Sequence, residues 1–329
     1  MPGYSITPRE NWKRMLRREK PCWMPLFSDC QLILPNIVPD NVARAFVFEA
    51  EPVPEECWGG KDMFGVEWVF VPEVNGSMER PDLPHMIENV SEWRSFIQFP
   101  DIDSWDWKGC AKRNQAYLQE DKFRIAWVFT GMFERLISFM GFENAAMALV
   151  DDECEDDLDE LFKALADNNI NLIRHYKQYF DIDGVYFHDD WGSQRAPFFS
   201  LNSCRRFLVP HMKRIVDFCH DSGINFELHS CGMNEPLVPA MIECGVDCWC
   251  GQPLNDKYKL REQFGDQIII GSHLQYETPE AIGPAVDEML EKVRDGIVEK
   301  PFYIQDVPIS EPLSECVRER SAAMFAALD

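Results

Sequence analysis

The sequence is short of positive charge. It carries 32 lysines and arginines against 56 aspartates and glutamates, which gives a formal net charge of −24. Nucleic acids and anionic membrane surfaces attract clusters of lysine and arginine, so this balance argues against both as partners. The chain also lacks any apolar run of the roughly 18 residues that a membrane-spanning helix needs. We therefore expect no nucleic acid and no membrane among its partners.

Two nucleotide-binding signatures are also missing. No G-x-G-x-x-G follows an early strand, and the phosphate-loop pattern G-x-x-x-x-G-K-[ST] does not occur. These glycine-rich turns let a backbone approach a pyrophosphate closely. Their absence argues against a dinucleotide-binding, doubly wound sheet.

The start of the chain has no basic and apolar segment of the kind that directs secretion. Its twelve cysteines are spread over 329 residues, whereas disulfide-dependent folds are usually short. We therefore expect a cytoplasmic protein with reduced thiols, in a compartment such as the cytoplasm of an anaerobe.

Apolar strand patterns alternate with amphipathic helix patterns along the chain, and residues 28–64 form an irregular excursion. Regular alternation of this kind favours a parallel sheet. About eight units in 329 residues predict an α/β fold, a (β/α)8 TIM barrel with an irregular N-terminal extension, in a single domain spanning residues 1–329. The predicted strands are 22–27, 65–71, 123–130, 183–188, 225–230, 246–250, 267–271 and 302–304.

The stretch 225–232 has the pattern of half a metal site. On a strand, Glu227, His229 and Cys231 share one face, because alternate side chains point the same way. Imidazole nitrogen and thiolate sulfur together suit zinc. A buried structural cysteine beside a hydrogen-bonded core histidine is the alternative, since a zinc site needs at least a third protein ligand.

Reactive side chains of a parallel barrel gather at the carboxyl ends of its strands. The candidates for acid–base catalysis there are Asp189, Asp190 and His273. Neighbouring residues of a strand face opposite sides, so one aspartate is expected to act in the site while the other caps a turn. Solvated loop acids and a hydrogen-bonded barrel-top histidine are the alternatives.

Four further residues near predicted strand ends are candidates for substrate binding: Trp191, Gln194, Gln252 and Glu134. Trp191 offers a flat surface for a ring, although tryptophan also serves in core packing. Glu134 next to Arg135 has an alternative interpretation as an ordinary surface pair.

Three runs of sequence carry a family resemblance: DGVYFHDDWG at 183–192, ELHSCG at 227–232 and ECGVDCWCGQ at 243–252. They resemble the uroporphyrinogen decarboxylase superfamily, best over residues 120–310, and this resemblance implies a (β/α)8 barrel. The decarboxylase branch grips substrate carboxylates with an arginine-rich segment after the first strand. Residues 26–35 contain no arginine, which disfavours that branch.

The other branch consists of cobamide-dependent methyltransferases. Their zinc site resembles His-x-Cys plus a cysteine after the last strand; His229 and Cys231 match the first part. Residues 305–308 contain no cysteine, so Asp306 is our first candidate for the third ligand and Glu227 our second. The resemblance further implies Zn²⁺, a corrinoid (cobalamin) carried on a partner corrinoid protein, and a homodimer.

From this resemblance we expect a zinc-dependent methyltransferase that moves a methyl group between a small-molecule donor and a corrinoid. An aryl methyl ether is the donor we favour, which would make the reaction an O-demethylation. The alternatives are a cofactor-free decarboxylase acting on a less anionic substrate and a non-catalytic corrinoid- or ligand-binding barrel.

Overall fold

A computed structural model of the chain describes residues 5–74, 76–306 and 309–328. Ten strands and twelve α-helices are assigned within these ranges, together with short 3-10 turns. The strands are β1 (Cys30–Ile33), β2 (Gly60–Lys61), β3 (Glu67–Val71), β4 (Gly76–Glu79), β5 (Phe123–Val128), β6 (Gly184–His188), β7 (Asn225–His229), β8 (Cys248–Trp249), β9 (Ile269–Ser272) and β10 (Phe302–Ile304). The helices are α1 (Pro8–Leu16), α2 (Pro39–Ala43), α3 (Trp93–Phe96), α4 (Trp107–Arg113), α5 (Met132–Ala148), α6 (Glu155–Phe180), α7 (Leu201–Ser203), α8 (Val209–Asp221), α9 (Val238–Cys244), α10 (Lys257–Phe264), α11 (Ile282–Val293) and α12 (Glu311–Ala326).

Seven strands form one parallel sheet in the order β1-β5-β6-β7-β8-β9-β10. Consecutive strands of this sheet are joined by helical segments, which is the connection that parallel pairing requires. The sheet curls into a barrel-like half-cylinder with the helices packed outside. The sequence predicted eight strands in a closed ring, so the α/β class is confirmed, whereas the count and the closure are not.

One isolated bridge joins the segment that precedes β1 to β10, without closing the sheet into a barrel. Leu26 pairs with Ile304 in parallel, and the Ile304 N–H donates to the Pro25 carbonyl at 3.0 Å. The predicted strand over 22–27 is wrong, because this segment folds around the Asp29 carboxylate instead. That carboxylate accepts hydrogen bonds from the Leu26 N–H at 3.3 Å and the Trp23 Nε1–H at 2.9 Å. The first strand of the sheet consequently begins at Cys30.

The predicted strand over 65–71 does form, but not in the parallel sheet. β3 pairs antiparallel with β2 and with β4 in a separate three-stranded sheet. A buried ion cluster fastens this region to the rest of the fold. Arg135 of α5, which is 2% exposed, bonds both Asp40 of α2 and Asp62 of the loop between β2 and β3.

Helix starts follow the sequence signals closely. The Thr7 side chain caps α1 by accepting the Glu10 N–H at 3.2 Å, and Pro8 occupies the first turn. α1 closes the amino-terminal end of the sheet, where Trp12 packs against Phe123 and Tyr303 at ring separations of 5.8 and 5.3 Å. The opposite, carboxyl-terminal end is left for a site.

Among the described residues, no helix combines the length and the apolar character needed to cross a bilayer.

Candidate functional site

Two histidines lie side by side at the carboxyl ends of neighbouring strands. The register of β6 and β7 places His188 opposite His229, so both rings project from the same face. Their ring centroids are 4.5 Å apart with an interplanar angle of 26°. One ligand atom from each of His188, Asp190 and His229 lies within 4.8 Å of the other two. This is a distance at which three side chains can share one metal ion.

Each histidine is held through its Nδ1 atom. The Glu134 carboxylate lies 2.7 Å from Nδ1 of His188, and the Tyr186 hydroxyl lies 2.8 Å from Nδ1 of His229. A carboxylate only accepts hydrogen bonds, so we assign the proton of His188 to Nδ1, which leaves a lone pair on its Nε2. A hydroxyl both donates and accepts, so the contact with Tyr186 is compatible with either tautomer of His229. Nε2 of His229 offers its lone pair to a metal ion when Nδ1–H donates to Tyr186. A partner on the second nitrogen is the usual way in which proteins orient a metal-binding histidine.

Asp190 and Cys231 complete the cluster from the loops that follow β6 and β7. Nε2 of His229 lies 3.8 Å from Oδ1 of Asp190 and 3.3 Å from Sγ of Cys231. The Cys231 N–H donates to Oδ1 of Asp190 at 2.6 Å, which ties the two loops together. Gly232 permits this approach, since its φ is +92° and a Cβ there would lie 2.2 Å from the backbone of Gly192.

Burial sets the protonation states of the cluster. It lowers the pKa of His188 to about 4 and that of His229 to about 4, although the charge of Asp190 opposes both shifts. Both imidazoles are therefore neutral at pH 7, the form that binds metal ions. Burial also raises the pKa of the Cys231 thiol, and Asp190 raises it further. A nearby cation would be required to deprotonate this thiol at neutral pH.

Asp189 was predicted as a catalytic residue, but in the structure its buried carboxylate stabilises the fold. Its carboxylate is fully buried and accepts hydrogen bonds from the N–H groups of Phe133 at 3.0 Å and Glu134 at 2.9 Å, in the first turn of α5. It also accepts the Trp191 Nε1–H at 2.8 Å. Burial raises the pKa of Asp189 to about 7. Asp189 is therefore a capping residue, but it caps the start of α5 rather than the turn that follows it.

Trp191 is not a platform for substrate. Its side chain is 0% exposed and packs near Phe199, with a ring separation of 6.0 Å. The prediction is corrected because a ring enclosed on all sides and hydrogen-bonded to Asp189 has no face left for a ligand.

The two predicted third ligands are engaged elsewhere. Glu227 is buried and accepts the Tyr303 hydroxyl at 2.5 Å, and burial raises its pKa to about 8. Asp306 accepts the Ser28 N–H at 2.8 Å and the Ser314 hydroxyl at 2.7 Å. Neither belongs to the group around His229, so both assignments are corrected. Val307 and Pro308, which follow Asp306, lie outside the described residues.

Glu134 does not pair with Arg135 at the surface but contacts His188 of the candidate site. Besides holding His188, its carboxylate lies 3.4 Å from Nη2 of Arg44, while Arg135 points into the buried ion cluster. Arg44 follows α2 within the irregular excursion. Sequence reasoning missed it, because no local pattern shows that this excursion folds over the carboxyl ends of the strands.

His273, Gln194 and Gln252 lie on neighbouring loops. His273 lines a cavity of about 460 Å³ together with Lys257 and Tyr258, between the loops after β8 and β9. Burial lowers its pKa. Gln194 donates to Oε1 of Gln252 at 2.8 Å, and the Gly232 N–H donates to the same oxygen at 3.0 Å. These hydrogen bonds connect the loops that follow β6, β7 and β8. The predicted role of Gln194 and Gln252 in binding substrate stays a prediction.

His188 and Tyr186 are further site residues that the sequence prediction did not assign. His188 stood in a stretch already singled out, and its position two residues before Asp190 on a strand end was the available signal. Tyr186 gave no such signal, because a tyrosine on a buried strand is usually core.

Comparison with known proteins identifies a family. A sequence model of the family described as "Uroporphyrinogen decarboxylase (URO-D)" matches residues 129–306, more than half of the chain. The matched region contains His188, Asp190, His229 and Cys231. No curated protein matches the chain significantly.

Several solved structures are similar at low identity. One titled "Crystal structure of TcOYE with pHBA" is 11% identical, covering 72% of this chain and 78% of that chain with a TM-score of 0.42. A variant of NCR from Zymomonas mobilis is 13% identical, covering 65% and 66% with a TM-score of 0.36. A sugar phosphate isomerase/epimerase from Parabacteroides distasonis is 11% identical, covering 73% and 80% with a TM-score of 0.32. Similarity at this level supports no conclusion about function.

Proposed function

The chain belongs to the uroporphyrinogen decarboxylase family, and from this premise we propose that it is a zinc-dependent methyltransferase of the corrinoid-linked branch. It would move a methyl group between a small methylated donor, an aryl methyl ether, and the corrinoid of a partner protein. We further propose a single cytoplasmic domain that forms a homodimer. The observation that carries the proposal is the cluster of His188, Asp190 and His229, with Cys231 beside it.

The donor set fits zinc. The imidazoles of His188 and His229 and the carboxylate of Asp190 are ligand types that zinc binds, and three protein ligands leave one position open, as in catalytic zinc sites. Cys231, whose Sγ lies 3.3 Å from Nε2 of His229, is a further candidate ligand and would fill the open position if it bound. A divalent cation would also supply the charge that lowers the pKa of the Cys231 thiol. Asp190 replaces Asp306 and Glu227 as the carboxylate, and His188 is added to the predicted set.

When bound, zinc would polarise the ether oxygen of the donor and the corrinoid would accept the methyl group. The residues of this chain would bind the metal ion, orient its ligands and protonate the departing oxygen. Glu134 and Tyr186 contact Nδ1 of the two histidines, which leaves Nε2 of each ring as the atom that would bind the metal ion. We assign to His273, on the neighbouring loop after β9, the delivery of a proton to the departing oxygen.

Part-exposed aromatic rings beside the cluster support an aryl donor. Trp127 and Phe46 are both part-exposed, their ring centroids are 5.2 Å apart, and the ring of Trp127 lies 6.0 Å from that of His188. Phe129 is 2% exposed and packs against both, at 5.1 Å from Trp127 and 5.3 Å from Phe46. Flat apolar surfaces of this kind bind an aromatic ring and exclude water from it.

The first experiment measures metal in protein purified without chelator. We expect one zinc per chain, lost or strongly reduced in His188→Ala, Asp190→Ala, His229→Ala and Cys231→Ser. His220→Ala and Cys57→Ser are matched controls, because these side chains are more exposed and belong to other parts of the fold. The zinc-loaded protein is then mixed with cob(I)alamin and methoxylated benzenes, and methylcobalamin formation is followed by its absorbance.

Each alternative has its own outcome in this experiment. Failure to bind zinc, even after reconstitution under reducing conditions, would overturn the zinc mechanism. Metal-free decarboxylation of a porphyrinogen would identify a decarboxylase. Tight cobalamin binding without turnover of any methylated donor would identify a binding protein.

A further inference from the structure

A second cavity, outside the candidate metal cluster, is lined by the irregular excursion and by β3. Its volume is about 320 Å³. The described residues that line it are Ala45, Phe46, Val47, Phe48, Pro52, Val53, Trp58 and Phe70. None of these residues carries a charged side chain, although charged residues make up 27% of the chain. A concave, apolar lining of this kind favours an apolar ligand.

The rings of this cavity keep no polar group for a ligand. Trp58 packs edge to face against Phe70, with ring centroids 4.8 Å apart and an interplanar angle of 73°. Its Nε1–H donates to the Val53 carbonyl at 3.2 Å, within the lining itself. The other lining side chains have no hydrogen-bonding group. Phe48 is 40% exposed, so a large apolar side chain remains in contact with water.

Phe46 connects this cavity to the candidate site. Its ring lies 5.2 Å from that of Trp127, and the ring of Trp127 lies 6.0 Å from that of His188. Phe46 therefore belongs both to the cavity lining and to the rings beside the candidate metal cluster. A ligand held at the cluster can reach the cavity by extending past one tryptophan.

The charge around the cavity disfavours an anion. The segment between Phe48 and Trp58 carries four glutamates, three of them exposed: Glu51, Glu55 and Glu56. Residues 45–60 contain no lysine or arginine, and the preceding Arg44 is directed towards Glu134. Like charges within about 10 Å repel each other at moderate salt. The cavity is consequently suited to a neutral group.

The size of the cavity matches one aromatic ring. An apolar cavity of about 150 Å³ binds benzene, so 320 Å³ has room for a phenyl ring with short substituents. A stable protein interface uses about 20–30 residues on each side, far more than the lining residues of this cavity. A small molecule therefore fits the cavity better than a protein partner does.

We propose that this cavity binds a second, neutral aromatic ring of the methyl donor, so that the preferred substrate has two rings joined by a short link. The identity of the ligand rests on the proposed function, but binding of the second ring does not depend on turnover. A phenyl ring that leaves water for this cavity adds affinity that a one-ring donor lacks.

Two ethers that differ by one phenyl ring test the inference. We would measure the dissociation constants of 4-ethylanisole and 4-(2-phenylethyl)anisole by equilibrium dialysis against the full chain, with and without added zinc. We expect the two-ring ether to bind at least about tenfold more tightly. A carboxylate on its far ring should remove most of this gain, because the glutamates around the cavity repel it.

Two substitutions of opposite kind alter the cavity. Val53→Trp fills it, and Phe48→Ser removes part of its lining while leaving the backbone hydrogen bonds between Phe48 and Leu34 in place. We expect the ratio of the two dissociation constants to fall towards one in both variants. Phe142→Ser is the matched control, because Phe142 is similarly exposed, at 45%, but lies on α5 outside the cavity lining. The ratio should keep its wild-type value there.

The outcomes separate this inference from the proposed function. Equal binding of the two ethers, or a ratio that survives in both Val53→Trp and Phe48→Ser, would overturn the inference. A dimer that dissociates in Phe48→Ser at an unchanged ratio would identify a protein interface and also overturn it. A ratio that depends on Val53 and Phe48, without methyl transfer to cob(I)alamin, would support the ring-binding cavity and contradict the methyltransferase.

Discussion

We expect substitution of the adjacent residues Asp189 and Asp190 to have different effects, the first on stability and the second on metal binding. In Asp189→Ala the N–H groups of Phe133 and Glu134 and the indole N–H of Trp191 lose their acceptor in a buried place. Each buried donor without a partner costs about 1–3 kcal/mol, so we expect the loss of three partners to lower the free energy of unfolding by at least about 3 kcal/mol. Urea denaturation followed by circular dichroism measures this loss.

Asp190→Ala is the comparison for that experiment. Asp190 is part-exposed and its described contacts lie within the candidate metal cluster. In metal-free protein we expect a change in unfolding free energy below about 1 kcal/mol, because surface contacts contribute little. Zinc content should fall, in contrast to its retention in folded Asp189→Ala. Equal destabilisation by the two substitutions would show that this division of tasks is wrong.

The sequence was sufficient to find the strand ends but not the partners of their side chains. His229 and Cys231 could be predicted to share one face of a strand, because the alternation of side chains along a strand is a local property of the sequence. Glu227 shares that face, yet it lies one layer deeper beside Tyr303, and its burial makes it a poor ligand. Depth within a barrel depends on strand stagger, which no single stretch of sequence reveals.

A buried carboxylate, that of Asp183, links the helix α1 to the sheet. Asp183 accepts hydrogen bonds from Nε of Arg9 at 2.8 Å and Nζ of Lys13 at 2.7 Å, and from the Arg124 N–H at 3.0 Å. Burial alone would raise the pKa of Asp183, but the hydrogen bonds from Arg9 and Lys13 outweigh it and hold the pKa below its ordinary value. The contacts therefore favour the ionised form in the folded state.

This shift predicts how stability responds to acid. A lowered folded-state pKa means that the stabilisation is complete above the unfolded pKa, about 4, and is lost as the pH falls through the folded value. We expect Asp183→Asn to cost about 1–3 kcal/mol at pH 6, and the difference from wild type to shrink between pH 4 and pH 2. Thermal and urea unfolding across that range measure the effect.

Asp181→Asn is the matched control for Asp183→Asn. Asp181 also lies near Arg9, at 3.6 Å, but it is 67% exposed, and we expect its loss to cost less than about 0.5 kcal/mol. A pH-independent difference between wild type and Asp183→Asn would contradict the assignment of the stabilisation to the ionised carboxylate.

Helices and strands were predictable where local signals were complete. The region from β5 onward matched its predicted alternation, because each strand is apolar and each helix has a clear start or stop, as with Gly245 after α9. The excursion over 28–64 was not predictable. Its conformation depends on Arg135 bonding Asp40 and Asp62, which lie 95 and 73 residues away in sequence. Such contacts leave no periodic pattern.

A short seam, formed by the bridge between Leu26 and Ile304, links the segment before β1 to β10 at the other edge of the seven-stranded sheet. Beside the bridge from Leu26 to Ile304, Asp306 joins three parts of the chain at this seam. Its two carboxylate oxygens accept hydrogen bonds from the Ser28 N–H, before β1, and from the Ser314 hydroxyl of α12. The residue predicted to bind metal thus connects the first and last segments of the sheet.

Asp306→Ala should consequently destabilise the fold without removing metal. The Ser28 N–H and the Ser314 hydroxyl would lose a charged acceptor in a place where Asp306 is 2% exposed, so we expect a loss of about 2–4 kcal/mol in the free energy of unfolding. Ser314→Ala removes one of the two contacts and should cost less. Because His188, Asp190 and His229 form a separate group, zinc content per folded chain should equal that of wild type. Loss of zinc at unchanged stability would instead return Asp306 to the ligand set, with the seam held by the Leu26–Ile304 bridge and its neighbours.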